Sequence, residues 1–421
     1  MELSEHLFRR EAGRLVASLT RIFGVHNLAL AEDVVQDAFC RALEVWKVRG
    51  VPENPSAWLM AVAKHRALDV VRRERTARTF APELTRVLES EWTLASAIDE
   101  AFTSSVIRDE QLRMMFSCCH PRLPEDVQIA LVLNTLCGFG ASEISRAFLT
   151  SRAAMEKRIS RGKKALASEK RLFELGDTEF GSRLSAVQRA LYLLFNEGYH
   201  SGSAERTVRE ELCDEAIRLT MLLLDAPLTA QPDTYALAAL MFLHAARLPT
   251  RVGVEGDLNP LLEQDRSRWD GWLGEEGLNL LDRSAAVVVV SGYHLEAAIA
   301  AAHATADSVE TTNWREIVLL YDRLMDVAPS PVVALNRAIA IGQADGPGLG
   351  LEALCAIPDA DRLRKYPFYP AARGELEFRR GNLDAAREQF ACAAALARTP
   401  AERRFLERRQ GECLTPSRRE R

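Results

Sequence analysis

Apolar residues recur at helical spacing from one end of this chain to the other, while runs alternating with period two are scarce. A chain with that single periodicity must bury helices against helices, so the expected fold class is all-α. One stretch breaks the pattern. Val287 to Val290 reads as a short strand or a buried helix, and its Ala-rich flanks favour the helix. At 421 residues the chain is too long for one domain. Composition divides it into a helical block over 5–78, an irregular acidic connector over 79–108 with Pro82, a second helical block over 109–170 ending in a basic stretch, and an Ala- and Leu-rich segment over 180–421.

Nothing in the chain signals export or membrane insertion. The opening residues MELSEHLFRREAGRL are charged and amphipathic rather than signal-like. The longest pure apolar run, Ala285 to Val290, is far below the ~20 residues that span a bilayer. Eight cysteines without regular spacing do not make a disulfide framework, which fits a reducing compartment. The expectation is a soluble cytoplasmic protein with no membrane contact. Its net charge of −5 conceals strong local imbalance, so the segments carry the argument.

In the first block, AEDVVQDAFCRALEVW places Val35, Ala38, Phe39, Ala42 and Trp46 on one helical stripe and leaves Asp33, Gln36, Asp37, Arg41 and Glu44 outside. On its own such an acidic face is ordinary solvated surface. After the turn signals Pro52, Asn54 and Pro55 comes SAWLMAVAKHRALDVVRRERTAR, with Leu59, Ala63, Ala67 and Val70 on one face and His65, Asp69, Arg72 and Arg73 opposite. From Lys64 to Arg78 there are six basic residues against two acids. Such a face suits phosphate contact through counterion release, and Trp58 and His65 offer rings for an unpaired base. A solvated basic helix with Trp58 in the core accounts for the same pattern.

The second block reads as three helices with sharp stops. Pro124, Glu125 and Asp126 form a helix start, Gly138 and Gly140 end that helix, and Ala141 to Phe148 makes a short second one. Ser151 is placed to cap a third, in which Met155, Ile159, Gly162 and Leu166 are the buried stripe and Ala153, Lys157, Ser160, Arg161 and Lys164 face out. Residues 151–171 hold eight basic residues against two glutamates. Two helices joined tightly, the second basic outside, match a helix-turn-helix whose second helix enters the major groove. A basic amphipathic helix closing a bundle is the alternative.

Beyond residue 180, AARGELEFRRGNLDAAREQFACAAALA sets Gly374, Gly381, Ala386, Phe390 and Ala393 at the spacing of the second half of a tetratricopeptide repeat. YHLEAAIAAAHA with WREIVLLYDRLMDVAP, and PVVALNRAIAI with LGLEALCAI, read as looser helix pairs, with an Ala-rich bundle as the alternative. Two constellations are set aside. Cys118, Cys119 and His120 with Cys137 lack metal-ligand spacing, and packing is the favoured role. Asp257, Gln264, Asp265, Arg266, Trp269 and Asp270 lack a nucleophile and read as salt-bridged helix packing. No catalytic motif is visible and no cofactor or metal is expected.

Taken together, AEDVVQDAFCRALEVW, NPSAWLMAVAKHRALDVVRRER and SEISRAFLTSRAAMEKRISRGKKAL resemble the polymerase-binding helix, promoter-melting segment and helix-turn-helix of extracytoplasmic-function sigma factors of the sigma-70 family, over roughly the first 170 residues. The resemblance implies that Asp33, Gln36, Asp37, Arg41 and Glu44 face the clamp of the core RNA polymerase large subunit. It implies that Trp58, His65, Arg66, Asp69, Arg72 and Arg73 lie along the melted promoter element, and Arg152, Lys157, Ser160, Arg161 and Lys164 along the upstream one. His65 stands where the family commonly has Asn, and Ala154-Met155 replaces its usual Thr-Val pair, so phosphate roles carry over and base preference does not. YLLFNEGYH, RVGVEGDLNPLLEQDRSRWD, YHLEAAIAAAHA and SPVVALNRAIAI are similar to a subgroup whose tetratricopeptide-like extension follows the helix-turn-helix, which implies a regulatory scaffold meeting another protein. Two further readings stand beside this one: a helix-turn-helix regulator with a sensing C-terminal domain, and an enzyme housed in 180–421.

Overall fold

The computed structural model describes residues 2–23, 27–74, 104–148, 150–168, 177–200, 208–253, 257, 259–286 and 289–414. All regular elements among them are helices. No helix among the described residues is long and apolar enough to cross a membrane. The chain divides into two compact units, one of residues 1–194 with 221–229 and the other of 195–220 with 230–421.

The first unit opens with α1 (Glu2–Phe23), α2 (Leu28–Arg49) and α3 (Pro55–Glu74), continues with α4 (Ser104–Cys118), and carries α5 (Glu125–Thr135), α6 (Ala141–Ala147) and α7 (Arg152–Ser168) before the start of α8 (Asp177–Tyr199). α1 is its organising element and packs against α2, α3, α4 and α5. Leu15, Leu19 and Phe23 of α1 are fully buried, with Phe116 and Met115 of α4 and Leu59 of α3. Each such side chain contributes about 1.5–3 kcal/mol on leaving water. Polar anchors fix the helices within this core: buried Glu11 accepts from Ser56 Oγ at 3.0 Å, tying the start of α3 to α1, and Arg183 Nη1 of α8 donates to the Phe116 carbonyl at 3.0 Å. α4 begins at Ser104, inside the stretch expected to be irregular connector. The rest of that connector, 79–103, lies outside the described residues.

The second unit takes in α9 (Glu210–Asp225, whose end belongs to the first unit), then α10 (Pro232–Ala245), the short α11 (Leu248–Arg251), α12 (Gly271–Ser284), α13 (Gly292–Ala304), α14 (Trp314–Val327), α15 (Pro331–Ala344), α16 (Pro347–Cys355), α17 (Phe368–Arg379), α18 (Leu383–Leu396) and α19 (Pro400–Glu412). α10 is buried on nearly every side, as its unbroken apolar sequence YALAALMFL requires, and α12 and α13 pack on it. After it successive helices pair with their neighbours. Helix starts are written in the sequence: the side chains of Asp270, Asn313, Ser330 and Thr399 each accept from a backbone N–H three residues on. Each cap is worth about 1 kcal/mol.

The three expected helix pairs are α13 with α14, α15 with α16 and α17 with α18. In the last, Ala386, Phe390 and Ala393 are buried, and a Cβ on Gly374 would stand 3.1 Å from the Phe390 ring. Gly381, at φ +85°, makes the turn between them. Two expectations are corrected. Val287 and Val288 lie outside the described residues, but Val289 and Val290 are neither helix nor buried: α12 has stopped at Ser284 and both valines are exposed. The polar cluster around residue 265 is only partly ion-paired. Asp257 meets Arg404 at 2.6 Å, whereas Asp265 and Asp270 cap helical turns and Arg266 donates to carbonyl and hydroxyl oxygens.

Candidate functional site

The outer face of α7 is a basic exposed surface with a defined geometry. Its helix begins where expected, with Ser151 Oγ accepting from the Ala154 N–H at 3.2 Å. Met155, Ile159, Gly162 and Leu166 are buried, the four positions set by the apolar stripe. Gly162 is there because of space: a Cβ would stand 2.8 Å from Val127 Cγ1 and 2.9 Å from Leu131 Cδ1 on α5. Between the supporting helices Gly138 turns the chain at φ +65°, and Glu143 Oε2 accepts from the Gly140 N–H at 2.9 Å, closing the start of α6.

Packing one stripe of α7 inward forces the rest outward. Arg152, Lys157, Ser160, Arg161 and Lys164 are all exposed. Arg152 is held by Glu156 one turn on, at 2.7 Å. Lys157, Arg161 and Lys164 have no ion pair among the described residues, so three cations point at solvent from one face. Two other basic residues of this helix have partners that sequence reasoning missed. Arg158 pairs with Asp126 of α5 at 2.9 Å, and Lys163 with Glu32 of α2 at 2.6 Å. The available signal is their position, since both flank the buried stripe.

On α2, Asp33, Gln36, Asp37, Arg41 and Glu44 are exposed while Ala31, Val34, Val35, Ala38, Ala42 and Trp46 are buried. Arg41 and Glu44 pair at 3.2 Å across one turn. Asp37 is engaged from a distance: Arg66 of α3 reaches its Oδ2 through Nη2 at 2.7 Å and Nε at 2.9 Å. A residue assigned to one outward face and a residue assigned to another are therefore joined.

On α3, Leu59, Ala63 and Ala67 are buried and His65 and Asp69 exposed. His65 Nδ1 is 2.7 Å from the Ala61 carbonyl. A carbonyl only accepts, so Nδ1 carries the hydrogen and the Nε2 edge faces out. Trp58 is half-buried and tilts against Trp46, with ring centroids 5.5 Å apart, and Trp46 stacks in turn on Phe8. Its ring thus helps tie α3 to α2. The side chains of Arg72 and Arg73 lie outside the described residues.

Cys118, Cys119 and Cys137 are buried. Burial pushes the Cys118 thiol up to about 12, against a smaller downward pull from Lys163, and raises Cys119 as well. Protonated thiols in an apolar setting are packing groups rather than reactive ones.

Three segments of the chain match known family models. Residues 7–77 match the model for sigma-70 region 2, residues 113–166 that for sigma-70 region 4, and residues 183–285 that for a family of unknown function, DUF6596. The chain is 39% identical over 396 residues to an uncharacterized protein of Rhizobium meliloti (strain 1021), covering 93% of this chain and 91% of that one. It is 32% identical over 161 residues to the RNA polymerase sigma factor CarQ of Myxococcus xanthus, covering 38% of this chain and 83% of that one. No solved structure matches.

Proposed function

The chain belongs to the extracytoplasmic-function branch of the sigma-70 family of RNA polymerase sigma factors, and from that premise we propose which of its faces do the work. The observation that carries this assignment is the outer face of α7, where Lys157, Arg161 and Lys164 stand exposed on the second helix of a helix-turn-helix. A helix of about 10–12 Å diameter fits the major groove. There these cations and Ser160, with Arg152 once it leaves Glu156, contact the upstream promoter element.

Asp33, Gln36, Asp37, Arg41 and Glu44 on α2 bind the clamp of core polymerase. On α3 the exposed edge of His65, with Asp69, Arg66, Arg72, Arg73 and the margin of Trp58, follows the melted promoter strand. Opening then needs no covalent chemistry: preferential binding of the unpaired strand shifts the duplex equilibrium toward the open state. Residues 5–78 and 109–170 form the two promoter-reading domains, 79–108 joins them, and 180–421 is a tetratricopeptide-like scaffold that modulates them through another protein.

The salt dependence of promoter binding tests the α7 assignment. Each phosphate-contacting cation contributes roughly one unit to the slope of log K against log salt. Lys157→Ala and Arg161→Ala are expected to lower that slope by about one unit each, weakening binding on all sequences alike. A slope unchanged in both variants would remove α7 from the interface.

A further inference from the structure

The second unit gathers positive charge in its interior without balancing it. Arg247 and Arg251, one helical turn apart on α11 and its entry, are each only 8% exposed. Arg266 approaches from the helical turn Arg266–Arg268. Arg247 Nε donates to Gln264 Oε1 at 3.3 Å, and Arg251 Nε to the Tyr199 carbonyl at 3.0 Å while its guanidinium lies 3.9 Å above the Tyr199 ring. Arg251 also lies 2.9 Å from His200 Nδ1. Arg266 donates to the carbonyls of His303 and Ala306, at 2.9 and 2.8 Å, and to Thr312 Oγ1 at 3.0 Å. Arg247 and Arg266 share the Trp269 ring, at 5.5 and 5.4 Å.

Every one of those partners is uncharged. None of the three guanidiniums has an ion pair among the described residues. Glu310 is within electrostatic reach of Arg266, but it is exposed and turned to Ser308. Around the same cations, Tyr199 Oη, His244 Nδ1, His303 Nδ1, Trp269 Nε1 and Arg266 Nε are buried without a hydrogen-bond partner. Buried polar atoms are nearly always satisfied and buried charges nearly always paired. Their concentration at one place, together with the terminal nitrogens of Arg247, which make no bond among the described residues, turns donor groups toward one another around three guanidiniums.

We propose that Arg247, Arg251 and Arg266 form the binding site of a small oxyanion, its oxygens accepting from the guanidinium groups and from the unpaired N–H and O–H groups around them. Guanidinium forks match the geometry of phosphate and carboxylate oxygens. The buried imidazoles fit the same picture, for burial and the surrounding arginines hold His244 well below its ordinary range and bring His303 down to about 3. An anion beside them relieves that. The inference concerns a ligand of the second unit and stands whether or not the α7 and α2 assignments do.

The test uses the full chain at matched ionic strength in chloride, inorganic phosphate, pyrophosphate and citrate. Binding to the folded state alone raises its melting temperature in proportion to ligand saturation. The expected result is an upward shift of several degrees with at least one oxyanion over chloride, abolished in Arg247→Gln and in Arg251→Gln. Phosphate and pyrophosphate against citrate distinguish a phosphoryl from a carboxylate ligand. Should a variant fail to fold, the ring-proton resonances of His244 and His303 in the unaltered chain decide instead, moving on addition of the oxyanion. Equal melting temperatures in all four salts with unmoved His244 and His303 resonances, or shifts that persist in both variants, would overturn the proposal.

Discussion

Lys163 Nζ of α7 lies 2.6 Å from Glu32 Oε1 of α2, both side chains about three-quarters buried, so the basic-faced helix and the acidic-faced helix are joined directly within one unit. The contact leaves both outward faces open. Asp33 and Lys164, the next residue on each helix, are exposed.

Partial burial puts this pair at the upper end of the range for surface ion pairs, which is about 0–1 kcal/mol. A double-mutant cycle with Glu32→Gln and Lys163→Met, read by urea unfolding, should give a coupling of about 1 kcal/mol. A coupling indistinguishable from zero would mean that the two helices are held by apolar packing alone.

Gly13 lets α1 approach the C-terminal end of α5 closely: a Cβ there would stand 2.1 Å from the carbonyl oxygen of Leu136, the residue that follows α5. A backbone carbonyl cannot swing aside, so the helix must move. Overpacking costs about 1–3 kcal/mol, and alanine's helical advantage over glycine returns only about 1. Gly13→Ala is therefore expected to speed amide exchange in α1 and α5. Unchanged protection in both helices would show that the approach is looser than this.

His303 links the stability of the second unit to pH. Burial first, then Arg247 and Arg266, lowers its folded value to about 3 from the ordinary 6.5. Below pH 6.5 the unfolded chain takes up a proton that the folded chain refuses. The stabilisation is thus complete above pH 6.5 and lost as pH falls toward 3. His244, held low by burial and then by Arg247 and Arg251, adds to the trend. In chloride, His303→Gln should flatten the fall in melting temperature between pH 6.5 and 4.5. Parallel profiles for variant and unaltered chain would place His303 at its ordinary value.

How much of this is legible in the sequence depends on the range of the interaction. The stripe Met155, Ile159, Gly162, Leu166 and the cap at Ser151 follow from local spacing, so both can be read before any fold is known. The same holds for the outward set on α2. Arg66 with Asp37, 29 residues apart, and Lys163 with Glu32, 131 apart, depend on how helices are brought together, which no local period encodes. Val289 and Val290 mislead for a related reason. An apolar run says that burial is favourable, but the end of α12 at Ser284 and the start of α13 at Gly292 leave these residues in the connection, exposed. The arginine cluster is the extreme case, assembled from residues between Tyr199 and Thr312 that carry no common motif.

Binding of core polymerase through α2, as proposed above, is what would separate this chain from a regulator that merely holds DNA. The most direct measurement is the affinity of the purified chain for core polymerase, compared with that of the Asp33→Lys, Asp37→Lys variant, with promoter initiation on the chain's own upstream DNA read in parallel. The unaltered chain is expected to bind tightly and to initiate, and the variant to lose both while α7 still binds duplex DNA. Undiminished core binding and initiation by the variant would contradict it.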